Sequence, residues 1–222
     1  MATSPDDLPP NFDPLARIYR WMEYCSFGPA LERCRFHFLP QCARAQQALI
    51  FGDGDGRFTA RLLASNRTVQ VDAVDASTAM LAELRRRVTE TTPDAAQRLR
   101  TFHADVRSFS PDRSGYDLVV SHFFLDCLTE QEIENLVARI LPHLAFDAQW
   151  VISEFAVPAN GWRRPAARLL IRFLYFAFNK ITQLRVQRLP DYAGILSRYH
   201  LCCRQKAAFL GNLLAAELWN RE

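Results

Sequence analysis

From about residue 46 onward, short apolar runs alternate with longer stretches of helical period. Ala48-Leu49-Ile50-Phe51 is a compact apolar run, the pattern of a strand buried on both faces. Arg57 to Ala64 then sets Phe58, Leu62 and Leu63 on one side of a helix. Thr68 to Val74 reads as a second strand. Ser77 caps a helix running to about Thr89, with Met80, Leu81 and Leu84 inward. Arg98 to His103 and Tyr116 to Ser121 are the third and fourth strands. Thr129, with Glu132 three residues on, has the pattern of a capping box. Gln149 to Glu154 is the fifth strand. Strands that alternate with helices in this way predict a doubly wound, mostly parallel α/β sheet.

The two ends of the chain read differently. Residues 1–13 are rich in Pro and Asp and are expected to form a mobile tail. From Pro14 to about Ala45 the pattern is helical, with Leu15, Ile18, Tyr19 and Met22 in period. Phe27-Gly28-Pro29 breaks it, and a second helix is expected from Pro29 to Leu39. Near the other end, Pro165 to Thr182 is a helical stretch with a dense aromatic middle. Leu189-Pro190-Asp191-Tyr192 marks a break and a new helix start. Leu201 to Phe209 and Leu213 to Trp219 fit two antiparallel strands at the sheet edge, although the second also fits a helix. The expected organisation is one domain over 14–222, with an N-terminal helical cap at 14–45 and a helical insertion at 163–195.

Composition adds boundaries to this picture. At 222 residues with 49% hydrophobic and 23% charged positions, the chain is long and apolar enough for a sizeable core. A net charge of +3 is too small for the clustered basic surface of a nucleic-acid binder. The six cysteines (Cys25, Cys34, Cys42, Cys127, Cys202 and Cys203) contain no CxxC pair and no zinc-ligand spacing, and no metal is expected. With no apolar stretch in the first thirteen residues, the expected compartment is the cytoplasm, with reduced thiols.

The candidate chemistry begins at Gly52-Asp53-Gly54-Asp55-Gly56, between a strand and a helix. Glycines there allow a tight turn and a close approach of backbone to ligand, with helix N–H groups aimed at it. The dinucleotide fingerprint GxGxxG would place its third glycine at Arg57, and a Walker loop would need Gly-Lys-Ser or Gly-Lys-Thr; neither is present. Asp75 ends the second strand 19 residues after Gly56. A carboxylate there can accept hydrogen bonds from ribose hydroxyls, or it can simply begin the cap of the next helix. Asp105, just after the third strand, can accept from an exocyclic amine, with Val106 against a ring. It also reads as an ordinary loop acid.

Taken together these segments resemble the class I S-adenosylmethionine-dependent methyltransferases, roughly from Phe12 to the end, and most of all the small-molecule enzymes of ubiquinone and menaquinone biosynthesis. Gly52 to Gly56 matches the family's glycine loop. Val74-Asp75-Ala76-Ser77 with Met80-Leu81 matches its ribose-binding segment, Ala104-Asp105-Val106 its adenine-contacting segment, and Tyr116 to Ser121 the strand ending beside the methyl group. The resemblance implies a seven-stranded Rossmann-like sheet and S-adenosylmethionine as methyl donor. The implied cofactor contacts are Gly52, Asp53, Gly54, Gly56, Asp75, Ala76, Asp105, Val106 and Ser121. One position departs: the family's acid two places before the first loop glycine is Ile50 here, with Asp53 and Asp55 the nearest acids.

Methyl transfer from a sulfonium needs an aligned nucleophile, excluded water and in some cases a base. His122 and Asp126 are the candidate catalytic residues and share a face if the chain turns helically there; Glu154 is a third. Their bland reading is a backbone contact for His122 and a turn cap for Asp126. The aromatic residues of the N-terminal helices and of 165–182 point to a small apolar or aromatic acceptor. The 165–182 helix has four readings: lid, core, homodimer contact or membrane-surface helix. Two other readings compete: a binding or scaffolding protein without turnover, motivated by Ile50, and a nicotinamide oxidoreductase, disfavoured by Arg57.

Overall fold

The structure, a computed structural model, describes residues 29–156 and 189–221. The expected tail, the first half of the helical cap and the aromatic helix over 165–182 lie outside the described residues.

Strands β1 (Gln47–Phe51), β2 (Gln70–Asp75), β3 (Leu99–His103), β4 (Tyr116–His122) and β5 (Leu144–Phe155) pair in parallel. The last two strands are β6 (Leu201–Phe209) and β7 (Leu214–Arg221). β7 lies antiparallel to both β5 and β6. The sheet order is β3-β2-β1-β4-β5-β7-β6, so the chain winds outward from β1 one way and then from β4 the other.

The central strands β1 and β4 are apolar on both faces because helices cover both. Ala48 and Ile50 of β1 pack with Leu31 of α1 (Pro29–Phe36), Phe58 and Leu62 of α2 (Arg57–Ser65) and Leu84 of α3 (Thr78–Thr91). Leu49 and Phe51, pointing the other way, pack with Ile133, Leu136 and Ile140 of α4 (Glu130–Ile140) and Ile195 of α5 (Tyr192–Arg198). Every such side chain fully buried contributes about 1.5–3 kcal/mol. The caps read from the sequence are present. Ser77 Oγ accepts from Met80 N, Thr129 and Glu132 form the reciprocal capping box, and Asp191 accepts from Gly194 N.

Three of the boundaries that differ from the sequence reading have a visible cause. The helix from Pro29 stops at Phe36, and a 3-10 turn over Leu39–Arg44 follows with Pro40 in its first turn. β2 starts two residues late because Asn66 Oδ1 accepts from the backbone N–H of both Thr68 and Val69, holding that segment in a turn. β5 starts five residues early, and its register against β4 shifts between Tyr116 and Leu118. In that early part Asp147 and Gln149 interrupt the apolar run, which hides the start of the strand in the sequence. The segment after Leu213 is a strand, because β5 and β6 both pair with it.

A buried polar tie links the parallel strands. Tyr116 Oη on β4 donates to Asp72 Oδ2 on β2 at 2.6 Å, while Arg100 Nε on β3 meets Asp72 Oδ1 at 3.1 Å. Tyr116→Phe should therefore leave a buried carboxylate oxygen short of a donor and cost about 1–3 kcal/mol in denaturant unfolding. A loss well under that range would show that water replaces the phenol.

Candidate functional site

Parallel pairing sets the carboxyl ends of four strands in one row. Phe51 is level with Val74 on one side and Ser121 on the other, and Asp75 is level with His103. The glycine loop leaves this row where the winding direction changes, between β1 and β4. That is the crevice in which open α/β sheets bind ligands. Gly52, Gly54 and Gly56 all have positive φ. At Gly56 the reason is packing: a Cβ there would sit 2.6 Å from Leu84 Cγ and 2.7 Å from Leu84 Cα. At Gly54 a Cβ would meet only Met80 Sδ at 3.9 Å, so the middle of the loop faces open space. Gly52 is closed by the Phe124 ring, which stacks on Phe51.

The two loop acids differ in kind. Asp55 Oδ2 is held by Arg57 Nε and Arg87 Nη2, each at 3.0 Å, and it braces the loop. Asp53 is 8% exposed, and its Oδ2 accepts from Thr59 N at 2.8 Å, inside the first turn of α2. Its Oδ1 is buried with no hydrogen-bond partner. Burial pushes the Asp53 carboxyl up, against the pull of the Arg35 guanidinium and the Thr59 N–H. Ile50, where the family's acid stands, is packed in the core.

Asp75 Oδ1 accepts from Ser77 N at 2.9 Å, and Ser77 itself caps α3. Asp75 therefore supports the turn without being the cap. Burial pushes its carboxyl up to about 6, with the Asp53 charge adding to the shift. Ala76 follows in the same turn, and its carbonyl meets His103 Nε2 at 3.1 Å. Asp105 is held by Arg107, whose backbone N–H donates to Oδ1 and whose guanidinium donates to Oδ2. Val106 is buried beside Phe51 and Phe109. Ser121 turns its hydroxyl into the core to accept from Trp150 Nε1, so only its backbone is available to a ligand.

Past β4 the chain does not turn helically between His122 and Asp126. Phe123 has φ 53°, and a 3-10 turn over Leu125–Cys127 follows. His122 is 3% exposed, edge-on to Phe58. Ser153 Oγ donates to the Cys34 carbonyl, so His122 Nδ1 must donate to Ser153 Oγ at 2.9 Å. Burial and the Arg35 charge hold the imidazole well below its usual pKa, hence neutral. Asp126 and Glu154 face elsewhere: both line a cavity of about 280 Å³, and His122 is not part of its wall. Glu154 Oε1 accepts from Phe124 N at 3.1 Å and Leu125 N at 2.8 Å, while Oε2 is buried without a partner. Burial first, and then the Asp126 charge, push Glu154 well above the usual carboxylate range. Two residues escape sequence reading altogether. Arg35, one arginine among many, is buried beside Asp53 and His122, and Phe124 closes the loop at Gly52.

The site generates two tests. Gly54→Ala and Gly56→Ala carry the same left-handed backbone penalty of about 1–2 kcal/mol. Gly56→Ala adds a clash with Leu84 worth about 1–3 kcal/mol more, so it should melt lower, whereas Gly54→Ala should weaken binding of an adenosine ligand. Asp75 has its pKa raised on folding, so its contribution to stability is full below about 4 and is lost as pH rises through about 6. At neutral pH Asp75→Asn should raise the melting temperature of the ligand-free protein yet lower its affinity for S-adenosylhomocysteine. A variant that gains stability and keeps full affinity would leave Asp75 as a turn residue only.

Comparison with known proteins follows the same geometry. Residues 49–149 match the family model described as a methyltransferase domain. No curated protein matches the chain in sequence. Among solved structures it is similar to a Nostoc punctiforme protein assigned as an O-methyltransferase, with TM-score 0.71 and 16% identity over 99% of this chain and 63% of that one. It is similar to mitomycin 7-O-methyltransferase, with TM-score 0.69 and 17% identity over 95% and 58% of the two chains. The N-methyltransferase NodS from Bradyrhizobium japonicum, in complex with S-adenosylhomocysteine, gives TM-score 0.63 and 14% identity over 86% and 87%. The chain thus spans less than two thirds of the length of the first two. The segment 49–149 thus matches a methyltransferase domain, and it carries its glycine loop at the β1–β4 crossover of a sheet in this order.

Proposed function

We propose that this chain transfers a methyl group from S-adenosylmethionine to a small acceptor with an apolar or aromatic body. One observation carries the reading. An open loop centre at Gly54, a buried Asp53 oxygen without a donor and the Asp75 carboxyl stand together at the row of strand ends. The residues fit the cofactor: Asp53 Oδ1 toward the ammonium group, Asp75 toward the ribose, and the loop after β3 toward the adenine. The bound cofactor supplies an electrophilic methyl group on a sulfonium, so the protein's part is to hold both partners in line and keep water out.

His122 is neutral and enclosed, which suits it to positioning β4 against β5 through Ser153. Asp126 and Glu154, in the cavity wall, are the groups that meet the acceptor. Burial and the Asp126 charge raise the Glu154 pKa, and a cation placed beside Oε2 would bring the carboxyl back toward its ionised form. The Ile50 departure is the motive for reading a scaffold without turnover; Asp53, a carboxylate already placed in the loop, argues against that reading. A finer likeness to the quinone-biosynthesis enzymes and a cytoplasmic location rest on the sequence alone. No described helix is long and apolar enough to cross a membrane.

Isothermal titration tests this directly. Asp53→Asn keeps the acceptor for Thr59 N and removes the charge. It should weaken S-adenosylhomocysteine by about tenfold or more and leave methylthioadenosine, which lacks the amino-acid end, unchanged. Asp55→Asn weakens only the part-buried pairs to Arg57 and Arg87 that brace the loop, and it should change both affinities by the same small factor. Equal affinity of the parent protein and Asp53→Asn for S-adenosylhomocysteine would remove Asp53 from the site.

A further inference from the structure

The cavity beside β5 has an uneven charge economy. Its wall includes Asp126, Glu154, Phe155, Tyr192, Lys206 and Glu217. Glu217 is fully engaged: Lys206 Nζ lies at 2.6 Å, Trp219 Nε1 donates to it at 2.9 Å and Tyr192 Oη at 3.2 Å. Lys206 is thereby committed to Glu217. Asp191, also in the wall, accepts from Gly194 N at the start of α5. Glu154 is the exception. It is 1% exposed, two backbone N–H groups fix Oε1, and Oε2 has no partner.

A buried carboxylate with one oxygen unserved carries a large desolvation cost. Asp126 is near enough for its charge to add to that cost. A ligand that brings an N–H donor and a positive charge relieves both burdens at once, whereas a neutral hydroxyl relieves only one and a carboxylate adds a third like charge. The rest of the wall suits a carbon skeleton, since the aromatic side chains of Phe155 and Tyr192 also line it.

We propose that this cavity takes an acceptor bearing a basic amine, with Glu154 Oε2 and Asp126 as its counter-charge and Phe155 and Tyr192 against its apolar body. The inference rests on the methyltransferase reading for its meaning, although the binding it predicts can be measured without turnover.

The experiment uses three probes of one skeleton, phenethylamine, phenethyl alcohol and phenylacetate, titrated into the protein with S-adenosylhomocysteine present and followed by ligand-observed NMR. Phenethylamine should bind at least about tenfold tighter than the alcohol, and phenylacetate weakest of all. Glu154→Gln keeps the acceptor for Phe124 N and Leu125 N and should abolish the preference for the amine. Asp126→Asn, which leaves the Glu154 bonds intact, should reduce the preference and serves if Glu154→Gln does not fold. No preference for the amine in the parent protein, including no binding by any of the three probes, overturns the proposal. A preference that survives both substitutions overturns it as well. Failure of S-adenosylhomocysteine to bind would instead overturn the methyltransferase reading, and phenethylamine titrated alone would still report on the cavity.

Discussion

Parallel pairing of β1 on both of its edges is the constraint from which the site follows. In an antiparallel neighbour the carboxyl end would lie at the opposite rim of the sheet. Here β2, β1 and β4 run the same way, so residues separated by about 70 positions in the chain end level with one another. The pairing is stabilised on both faces, by Ile50 and its neighbours against α2 and α3 and by Phe51 and its neighbours against α4. A one-residue slip of β1 would exchange these faces and leave both packed layers mismatched. The tie from Tyr116 to Asp72, which reaches across β1, is a polar reinforcement of the same register.

The acids of the molecule divide by whether their oxygens are used up. Asp117 accepts from Gln46 N and Gln47 N with separate oxygens and anchors the start of β1. Asp72 spends one oxygen on Tyr116 and the other on Arg100. Asp53 and Glu154 follow another rule. In each, backbone N–H donors fix one oxygen in place, and the other is buried with nothing to meet. Folding raises the pKa of both, which is a cost carried by the ligand-free protein. A structural acid gains nothing from such an arrangement; a site acid gains a fixed direction toward its ligand.

Most of this frame was legible because its causes are local. Ser77, the Thr129–Glu132 pair and Asp191 announce helix starts through short-range hydrogen bonds. The spacing of Gly52, Gly54 and Gly56 between a strand and a helix announces the loop. What the sequence did not show arises from contacts between distant segments. Glu154 stands out only when the N–H groups of Phe124 and Leu125, about 30 residues earlier, are seen to claim one of its oxygens. Arg35 looks like any surface arginine until α1 is packed against the end of β4, where it lies over the Phe123 ring. His122 and Asp126 are four apart, yet the left-handed Phe123 separates them into different environments. The segment after Leu213 was open between strand and helix, because only its pairing with both β5 and β6 decides the matter.

The stretch Phe123–Leu125 joins the two halves of the site. Phe124 presents its ring to Gly52 and stacks on Phe51, so it sets the height of the glycine loop. The same residue donates its N–H to Glu154, and so it also sets the direction of the acid in the cavity wall. Phe123 N meanwhile bonds the Ser153 carbonyl at 2.6 Å, tying this stretch to β5. A displacement of Phe124 would move a loop contact and a cavity contact together, whatever its cause. In the proposed function, cofactor and acceptor would then share one rigid support, and the distance between them would be set largely by the geometry of these three residues.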